Sequence, residues 1–231
     1  MKKLIIMIIC MGLLPVPVTG REPSLTAAVW INQAIAQYEK NDFAKAAISF
    51  EKGYDLSDIK NPDHLYYASI CHFQANAPKK ALAVFNKLIK AHPDKIPLSF
   101  EETLVNILFS LERYKDALPH LEQLAEKSGK DRQKKWQEIL LYQYLSLDMN
   151  DKALVYADFL TKTDMLEPKW WKALCHIHLN NRNYKKGLTA LIIYGYLTPL
   201  TKEELKLTAD LYLTLGVPAK AEQMVEQIKE K

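Results

Sequence analysis

The chain has 231 residues, 48% of them apolar and 25% charged, which is enough to bury the core of one large domain or of a helical-repeat array. Only 7 residues are glycine, so the composition favours helices over sheets joined by tight turns. The 31 basic residues exceed the 27 acidic ones by four, an excess too small to indicate a nucleic-acid-binding protein.

The first twenty residues have the pattern of a signal peptide. Two lysines precede an apolar run over residues 4–14, and small residues follow at the positions that a signal peptidase reads. We therefore predict that residues 1–20 are removed by a cut between Gly20 and Arg21. The mature chain then loses two lysines, and its formal charge falls from +4 to 4 − 2 = +2.

Two other interpretations of this segment are disfavoured. A membrane anchor would need roughly 20 apolar residues, and two prolines interrupt the run that follows the lysines. A lipid-modified cysteine would need a small residue before it, whereas Ile9 precedes Cys10. We expect an exported protein with no integral membrane segment after cleavage.

From residue 26 onward a small residue recurs in a short, similar pattern, at Ala46, Ala81, Ala117, Ala153, Gly187 and Ala221. The intervals between these positions are 35, 36, 36, 34 and 34 residues, and a fixed period of this length is typical of helical-hairpin repeats. A small side chain lets the two helices of a hairpin approach closely. Asp42 and Asn183, a few residues earlier, are predicted to cap the second helix of their hairpins.

This unit resembles the tetratricopeptide repeat (TPR) over about residues 26–230. The likeness is weaker in the third and fourth repeats, where Val105 and Leu141 stand in place of a small residue. The resemblance implies an all-α, right-handed solenoid of about six TPR-like hairpins in a domain spanning 21–231. The expected repeats are approximately 27–60, 62–95, 98–130, 134–166, 168–200 and 202–231.

No motif for catalysis or for binding a cofactor occurs in the sequence. Cys175 and His178 share a helix face, but both occupy packing positions of the repeat, so core packing explains them without a metal. Cys71 and Cys175 lie three repeats apart, too far for a disulfide, which predicts two free, buried thiols. We expect no enzyme activity, no cofactor and no metal; a metal or redox protein using Cys175 and His178 is the alternative.

In the TPR family, one side of the first helices commonly forms a groove for a partner. Carried over to this chain, the groove positions predict aromatic and aliphatic contacts toward the N-terminus and polar ones toward the C-terminus. Trp170 joins them as a candidate for exposure, because Trp171 takes the packing position. The candidate partner-binding residues are Ile31, Ile35, Tyr38, Tyr66, Ile70, Phe73, Asn106, Phe109, Tyr142, Trp170, Lys172 and His176. The alternative is that Ile35, Ile70 and Phe73 only pack between repeats.

The C-terminal third has a narrower likeness, carried by Trp170-Trp171-Lys172-Ala173-Leu174, by residues 195–198 and by residues 216–222. Residues 168–226 are similar to the periplasmic TPR proteins that accompany the ExbB–ExbD–TonB system of Gram-negative bacteria. This resemblance implies a periplasmic scaffold supporting TonB-dependent uptake of iron complexes, with TonB- or ExbD-type periplasmic segments as partners. A scaffold for another envelope process, such as outer-membrane assembly or cell-wall synthesis, is the alternative.

Overall fold

The computed structural model describes residues 25–230, and the predicted signal peptide lies outside these residues. Within them no strand occurs, which confirms the prediction of an all-α fold. The twelve α-helices of this part are α1 Leu25–Glu39, α2 Phe43–Leu56, α3 Pro62–Gln74, α4 Pro78–Ala91, α5 Leu98–Ser110, α6 Tyr114–Lys127, α7 Lys130–Ser146, α8 Asn150–Thr163, α9 Pro168–Asn180, α10 Tyr184–Leu197, α11 Lys202–Thr214 and α12 Pro218–Glu230. A short 3-10 helix, Pro93–Lys95, follows α4.

Consecutive helices pair into hairpins, and the six recurrent small residues are all buried near the start of the second helix of a pair. Two of them show the contact directly. The hydroxyl of Ser69 on α3 donates to the carbonyl of Ala81 on α4 at 2.9 Å. A Cβ added to Gly187 on α10 would lie 2.6 Å from Cδ2 of Leu179 on α9. The small residues therefore lie where the helices approach most closely, as the sequence predicts.

Every hairpin turn of the described chain contains one residue at positive φ, five positions before the small residue. These residues are Asn41, Asn76, Glu112, Asp148, Arg182 and Gly216. In each turn the next amide donates to the carbonyl five residues earlier, for example Asn183 to His178 at 2.8 Å and Val217 to Tyr212 at 2.8 Å. This is the Schellman arrangement that ends a helix by satisfying its last carbonyls. Residue type alone does not reveal these positive-φ positions, because only one of the six residues is glycine.

Prolines and side-chain caps mark several of the helix ends. Proline occupies the first turn of α3, α4 and α9, where its missing N–H costs nothing. Thr201 and Glu204 form a reciprocal capping box at the start of α11. Pro93 and Pro199 follow the ends of α4 and α10 by two residues.

The expected caps at Asp42 and Asn183 are only partly correct. Both residues occupy the N-cap position, but neither side chain accepts a hydrogen bond from the helix backbone. Asp42 pairs instead with Lys45 at 2.6 Å. The left-handed residue just before each cap already fixes the chain reversal, so a side-chain cap is not needed there.

In α2, α4, α6 and α8 the residues four and seven positions after the small residue are buried, so each of these second helices has one packed stripe. At the C-terminus the pattern weakens. Ala221 of α12 is buried, but Val225, four residues later, is exposed. Among the described residues α12 packs mainly on α11, so no further helix covers Val225.

The described chain divides into two compact units, which we call unit 1 (residues 25–137) and unit 2 (residues 138–230). The boundary falls within α7. In unit 1 the second helix of one hairpin packs on the first helix of the next, as α2 does on α3. In unit 2, α8 packs on α9 and α10 on α11 in the same way.

Candidate partner-binding surface

The candidate residues of unit 1 are mostly engaged in packing. Tyr66 of α3 stacks on Phe100 of α5, with ring centroids 3.5 Å apart and planes 6° apart. Its hydroxyl lies 3.0 Å from the hydroxyl oxygen of Thr103. Ile31 of α1 lies against α2, because a Cβ on Gly53 would come within 2.3 Å of its Cδ1. These side chains hold hairpins together.

Two aromatic candidates of unit 1 stabilise hairpin turns. Tyr38 meets Phe43 edge-to-face across the first turn, with centroids 5.5 Å apart. Phe109 meets Tyr114 in the same way across the third turn, at 5.5 Å. Such contacts contribute about 0.5–1.5 kcal/mol beyond area burial. Seven of the candidate residues of unit 1 are half-buried: Ile31, Ile35, Tyr38, Tyr66, Phe73, Asn106 and Phe109.

The structure contradicts two candidates outright. Ile70 is buried, so it belongs to the packing alternative rather than to an exposed groove. Trp170 is only 2% exposed, whereas Trp171, assigned to the core, is half-exposed. Steps of four and seven residues from Trp170 lead to the buried Leu174 and Ile177, which places Trp170 on the packed face of α9. The indole N–H of Trp171 donates to the carbonyl of Met165 at 2.8 Å.

The polar candidates of unit 2 are open to solvent. Tyr142 on α7 is 66% exposed, and Lys172 and His176 on α9 are exposed as well. Asp210 on α11 is also exposed. Residues 142, 176 and 210 are 34 apart in turn, so they occupy one register position on three successive first helices. We call Tyr142, Lys172, His176 and Asp210 the first-helix face of unit 2.

Ion pairs fix the spacing of the helices that carry this face. Lys169 of α9 pairs with Glu138 of α7 at 2.7 Å. Lys172 of α9 pairs with Glu204 of α11 at 2.8 Å, and its ammonium lies 5.4 Å from the ring centroid of Tyr194. The hydrogen bond to Glu204 raises the pKa of Lys172. Burial alone would raise the pKa of Glu204, but hydrogen bonds from Lys172 and the backbone of Thr201 lower it. Both groups are therefore charged near neutral pH.

The two cysteines within residues 25–230 are buried in the helix packing. Cys71 and Cys175 are buried and free, as predicted. Burial raises the pKa of the Cys71 thiol to about 12 and that of Cys175 to about 11. Since the thiolate is the reactive form, both thiols are poor nucleophiles at neutral pH. In residues 25–230, no group of three or more His, Cys, Asp or Glu side chains is placed to hold a metal ion.

A second exposed surface, which was not predicted from the sequence, lies on α8. Val155 is 71% exposed and Phe159 is 52% exposed, one helical turn apart. Tyr156 stacks on Phe159 with centroids 6.1 Å apart and meets Tyr144 edge-to-face at 5.8 Å. We call Tyr144, Val155, Tyr156 and Phe159 the α8 patch; with Asp151 and Lys152 it lines a cavity of about 540 Å³.

The repeat itself could have revealed this patch. Phe159 lies six residues after the small residue of its hairpin, a position that faces outward. The other second helices carry there Lys52, Lys87, Gln123, Ile193 and Gln227. Of the six second helices in residues 25–230, α8 has exposed apolar side chains both here and at the position of Val155.

Stacked helical hairpins with a small residue at each crossing define a helical-repeat protein. Comparison with known proteins identifies the repeat. Residues 31–96 match the tetratricopeptide repeat family model. Over these residues the chain carries the tetratricopeptide repeat, and the hairpins that follow continue the same helical pattern. TPR proteins generally mediate protein–protein interaction and are typically non-catalytic.

Solved structures show the same fold. The structure of YrrB, described as a TPR protein with an unusual peptide-binding site, matches with a TM-score of 0.53 and 21% identity over 78% of this chain and 90% of that one. A TPR protein from Parabacteroides merdae matches with a TM-score of 0.53 and 14% identity over 89% of this chain and 79% of that one. No curated protein matches the sequence. No helix within residues 25–230 has the length and apolar content that crossing a bilayer requires.

Proposed function

We propose that the chain is a non-catalytic scaffold that binds a peptide segment of a partner protein on the first-helix face of unit 2. One observation carries this proposal: Tyr142, His176 and Asp210 are exposed at the same register position of three neighbouring helices. An exposed tyrosine offers a large contact area and a hydrogen-bonding hydroxyl, which suits an interaction site. The peptide-binding site named for YrrB supports a peptide as the ligand.

The geometry suits an extended peptide rather than a small molecule. A phenol, an imidazole and a carboxylate in a row provide donors and acceptors for successive peptide groups. The pairs Lys169–Glu138 and Lys172–Glu204 hold the helices in place before the partner arrives. Such preorganisation reduces the entropy cost of binding.

Affinity capture with matched variants tests this proposal. The protein, the double variant Tyr142→Ala/His176→Ala and the control Tyr196→Ala are used as baits in an envelope extract. Tyr196 is 85% exposed on α10 and lies outside the first-helix face. We expect one partner to be captured by the protein and by the control, and at least tenfold less of it by the double variant. Equal capture by all three baits would place binding elsewhere.

We further propose that this scaffold acts in the periplasm, as an accessory to TonB-dependent energy transduction. Residues 1–20 support export through their signal-peptide pattern, and the likeness of residues 168–226 to TonB-associated TPR proteins supports the pathway. Three of the four residues of the first-helix face, Lys172, His176 and Asp210, fall within the segment that carries this likeness. The periplasmic segments of TonB or ExbD are then the partners.

Two measurements separate this pathway from another envelope process. Mass spectrometry of the periplasmic fraction is expected to find a mature N-terminus at Arg21. Purified periplasmic segments of TonB and ExbD are expected to bind the protein and to lose binding to Tyr142→Ala/His176→Ala. If neither segment binds while the double variant still loses a captured partner, the scaffold serves outer-membrane assembly, cell-wall synthesis or a similar process.

A further inference from the structure

The α8 patch combines a projecting ridge on α8 with a recess between α8 and Tyr144 of α7. Val155 and Phe159 project into solvent one turn apart. Beside them, the rings of Tyr144, Tyr156 and Phe159 border the cavity of about 540 Å³. A surface that carries both a ridge and a recess can accept an identical surface related by a two-fold axis, which is the requirement for an isologous interface.

The charges along α8 are complementary to a second, antiparallel copy of the same helix. Asp151 lies at the start of α8 and Lys162 near its end, eleven residues later. Eleven residues make about three turns, so both side chains lie on the same side of the Val155–Phe159 ridge. When two copies of α8 cross antiparallel with Val155 opposite Phe159, each Asp151 comes next to Lys162 of the second copy. Because of the two-fold symmetry, the dimer contains two such Asp151–Lys162 pairs.

The other charges of the helix are compatible with this arrangement. Lys162 already pairs with Asp158 at 2.6 Å, but the pair is exposed, so the ammonium can also reach a carboxylate across the interface. Lys152 lies on the other side of the ridge, with its ammonium 5.6 Å from the ring centroid of Tyr144. In the antiparallel arrangement it lies level with Lys162 of the second copy but on the opposite side of the ridge, next to Thr163 of that copy.

The α8–α9 loop extends the apolar surface beyond the end of α8. Met165 and Leu166 are both exposed. The hydrogen bond from Trp171 to the carbonyl of Met165 holds this loop in place. In the antiparallel arrangement these side chains approach the start of α8 in the second copy, next to Asp148 and Met149.

We propose that two copies of this chain associate through the α8 patch, antiparallel and two-fold symmetric, with Asp151 of each copy paired to Lys162 of the other. A single helix of 14 residues, about 21 Å long, offers less than the roughly 800 Å² per partner of a standard interface. The dimer is therefore weak, and its population rises with protein concentration. Dimerisation presents two first-helix faces, which favours bivalent partners.

Sedimentation of the purified protein from about 10 µM to about 1 mM tests the association. We expect a concentration-dependent dimer that Phe159→Lys abolishes. Lysine already occupies the equivalent position in α2 and α4, so this variant is expected to fold, and circular dichroism checks that it does. The control Ile48→Lys changes the exposed position of α2 that corresponds to Val155, and it is expected to leave the dimer unchanged.

A charge swap tests the antiparallel arrangement. Asp151→Lys places like charges together across the interface and is expected to weaken the dimer at least tenfold. The double variant Asp151→Lys/Lys162→Asp restores opposite charges and is expected to recover the dimer to within about threefold. A protein that stays monomeric at every concentration, or a dimer that survives Phe159→Lys, overturns the proposal. A swap that fails to restore the dimer overturns the antiparallel pairing.

Discussion

The two units use the same repeat positions for different purposes. In unit 1, Tyr66 and Ile70 of α3 are drawn into packing, and Tyr66 is covered by Phe100 of the next hairpin. In unit 2, Tyr142 and His176 lie open at the register position of Ile70, on helices that are bridged by ion pairs. Register therefore predicts which way a side chain points, whereas the neighbouring hairpin decides whether it stays accessible.

This comparison has a practical consequence for mutagenesis. A charge placed at Tyr66 or Ile70 would break contacts between hairpins, so lost binding in such a variant would report on folding. A change at Tyr142 or His176 leaves the packing alone and reports on the surface. Core packing is common to the two units, whereas the accessibility of their first helices differs.

The largest loss of stability is expected at the close helix crossings, where both units contain a glycine. A Cβ on Gly53 in unit 1 would lie 2.3 Å from Ile31, and one on Gly187 in unit 2 would lie 2.6 Å from Leu179. Leucine at either position overpacks the helix crossing and is expected to lower the free energy of unfolding by about 3 kcal/mol, as measured by urea denaturation. Gly129→Leu is the control, since nothing lies within 4 Å of its added Cβ. An unchanged midpoint in Gly187→Leu would contradict the close crossing.

Truncating one tyrosine in each unit tests the comparison itself. Tyr66→Ala removes the stack on Phe100 and the hydrogen bond with Thr103, and we expect it to cost about 2–3 kcal/mol of stability. Tyr142→Ala removes an exposed side chain and is expected to change stability by less than about 0.5 kcal/mol. Thermal denaturation of the two variants measures the difference. Similar losses would mean that Tyr142 is also a packing residue.

The fold was predictable because its signal is repeated along the chain. A small residue every 34 to 36 positions marks the helix crossings from Ala46 to Ala221, and a mismatch in one repeat does not hide the period. The first-helix face was predictable only in part. Tyr142, Lys172 and His176 are exposed as expected, but Trp170 is buried and Trp171 half-exposed. Two adjacent tryptophans both lie near the apolar stripe, and only packing against the preceding hairpin decides between them.

The turn residues at positive φ could not be predicted from the sequence for a different physical reason. Glycine and asparagine suit positive φ, but Glu112 and Arg182 do not, and they adopt it because the Schellman hydrogen bonds of the turn require it. Their side chains carry no local signal. The turn residue lies five positions before each small residue, so it can be located only after the repeat period is known.

Substitution of these turn residues is expected to change the free energy of unfolding by a smaller amount, and equally in both units. A bulky residue at positive φ costs about 1 kcal/mol relative to glycine. We therefore expect Glu112→Gly in unit 1 and Arg182→Gly in unit 2 each to raise the free energy of unfolding by about 0.5–1 kcal/mol. Gly216→Ala, at φ +75°, is expected to lower it by a similar amount. Chemical denaturation of the three variants measures these changes, and destabilisation by Arg182→Gly would contradict the strain argument.

The smallest change in the free energy of unfolding is expected in unit 2, where an ion pair bridges the helices of the first-helix face. Lys172→Ala removes the partner of Glu204, and we expect it to cost about 0.5 kcal/mol near pH 7 and less in high salt, since the pair is partly exposed. The pKa of Glu204 is lowered in the folded protein from its usual 4.5. Its stabilisation is therefore present above about pH 4.5 and lost as the pH falls through the lowered value.

The pKa of Lys172 is raised, so its own contribution persists until the solution becomes more alkaline than its usual 10.5. The stabilities of the protein and of Lys172→Ala should consequently differ between pH 5 and 9 and converge as the pH falls below the lowered pKa of Glu204. Thermal denaturation across this range, with Lys169→Ala as a second variant, measures the difference. A gap that persists unchanged at pH 3 would show that Lys172 stabilises α9 and α11 by packing its alkyl chain rather than by its charge, and the first-helix face would then need no ion pair to keep its spacing.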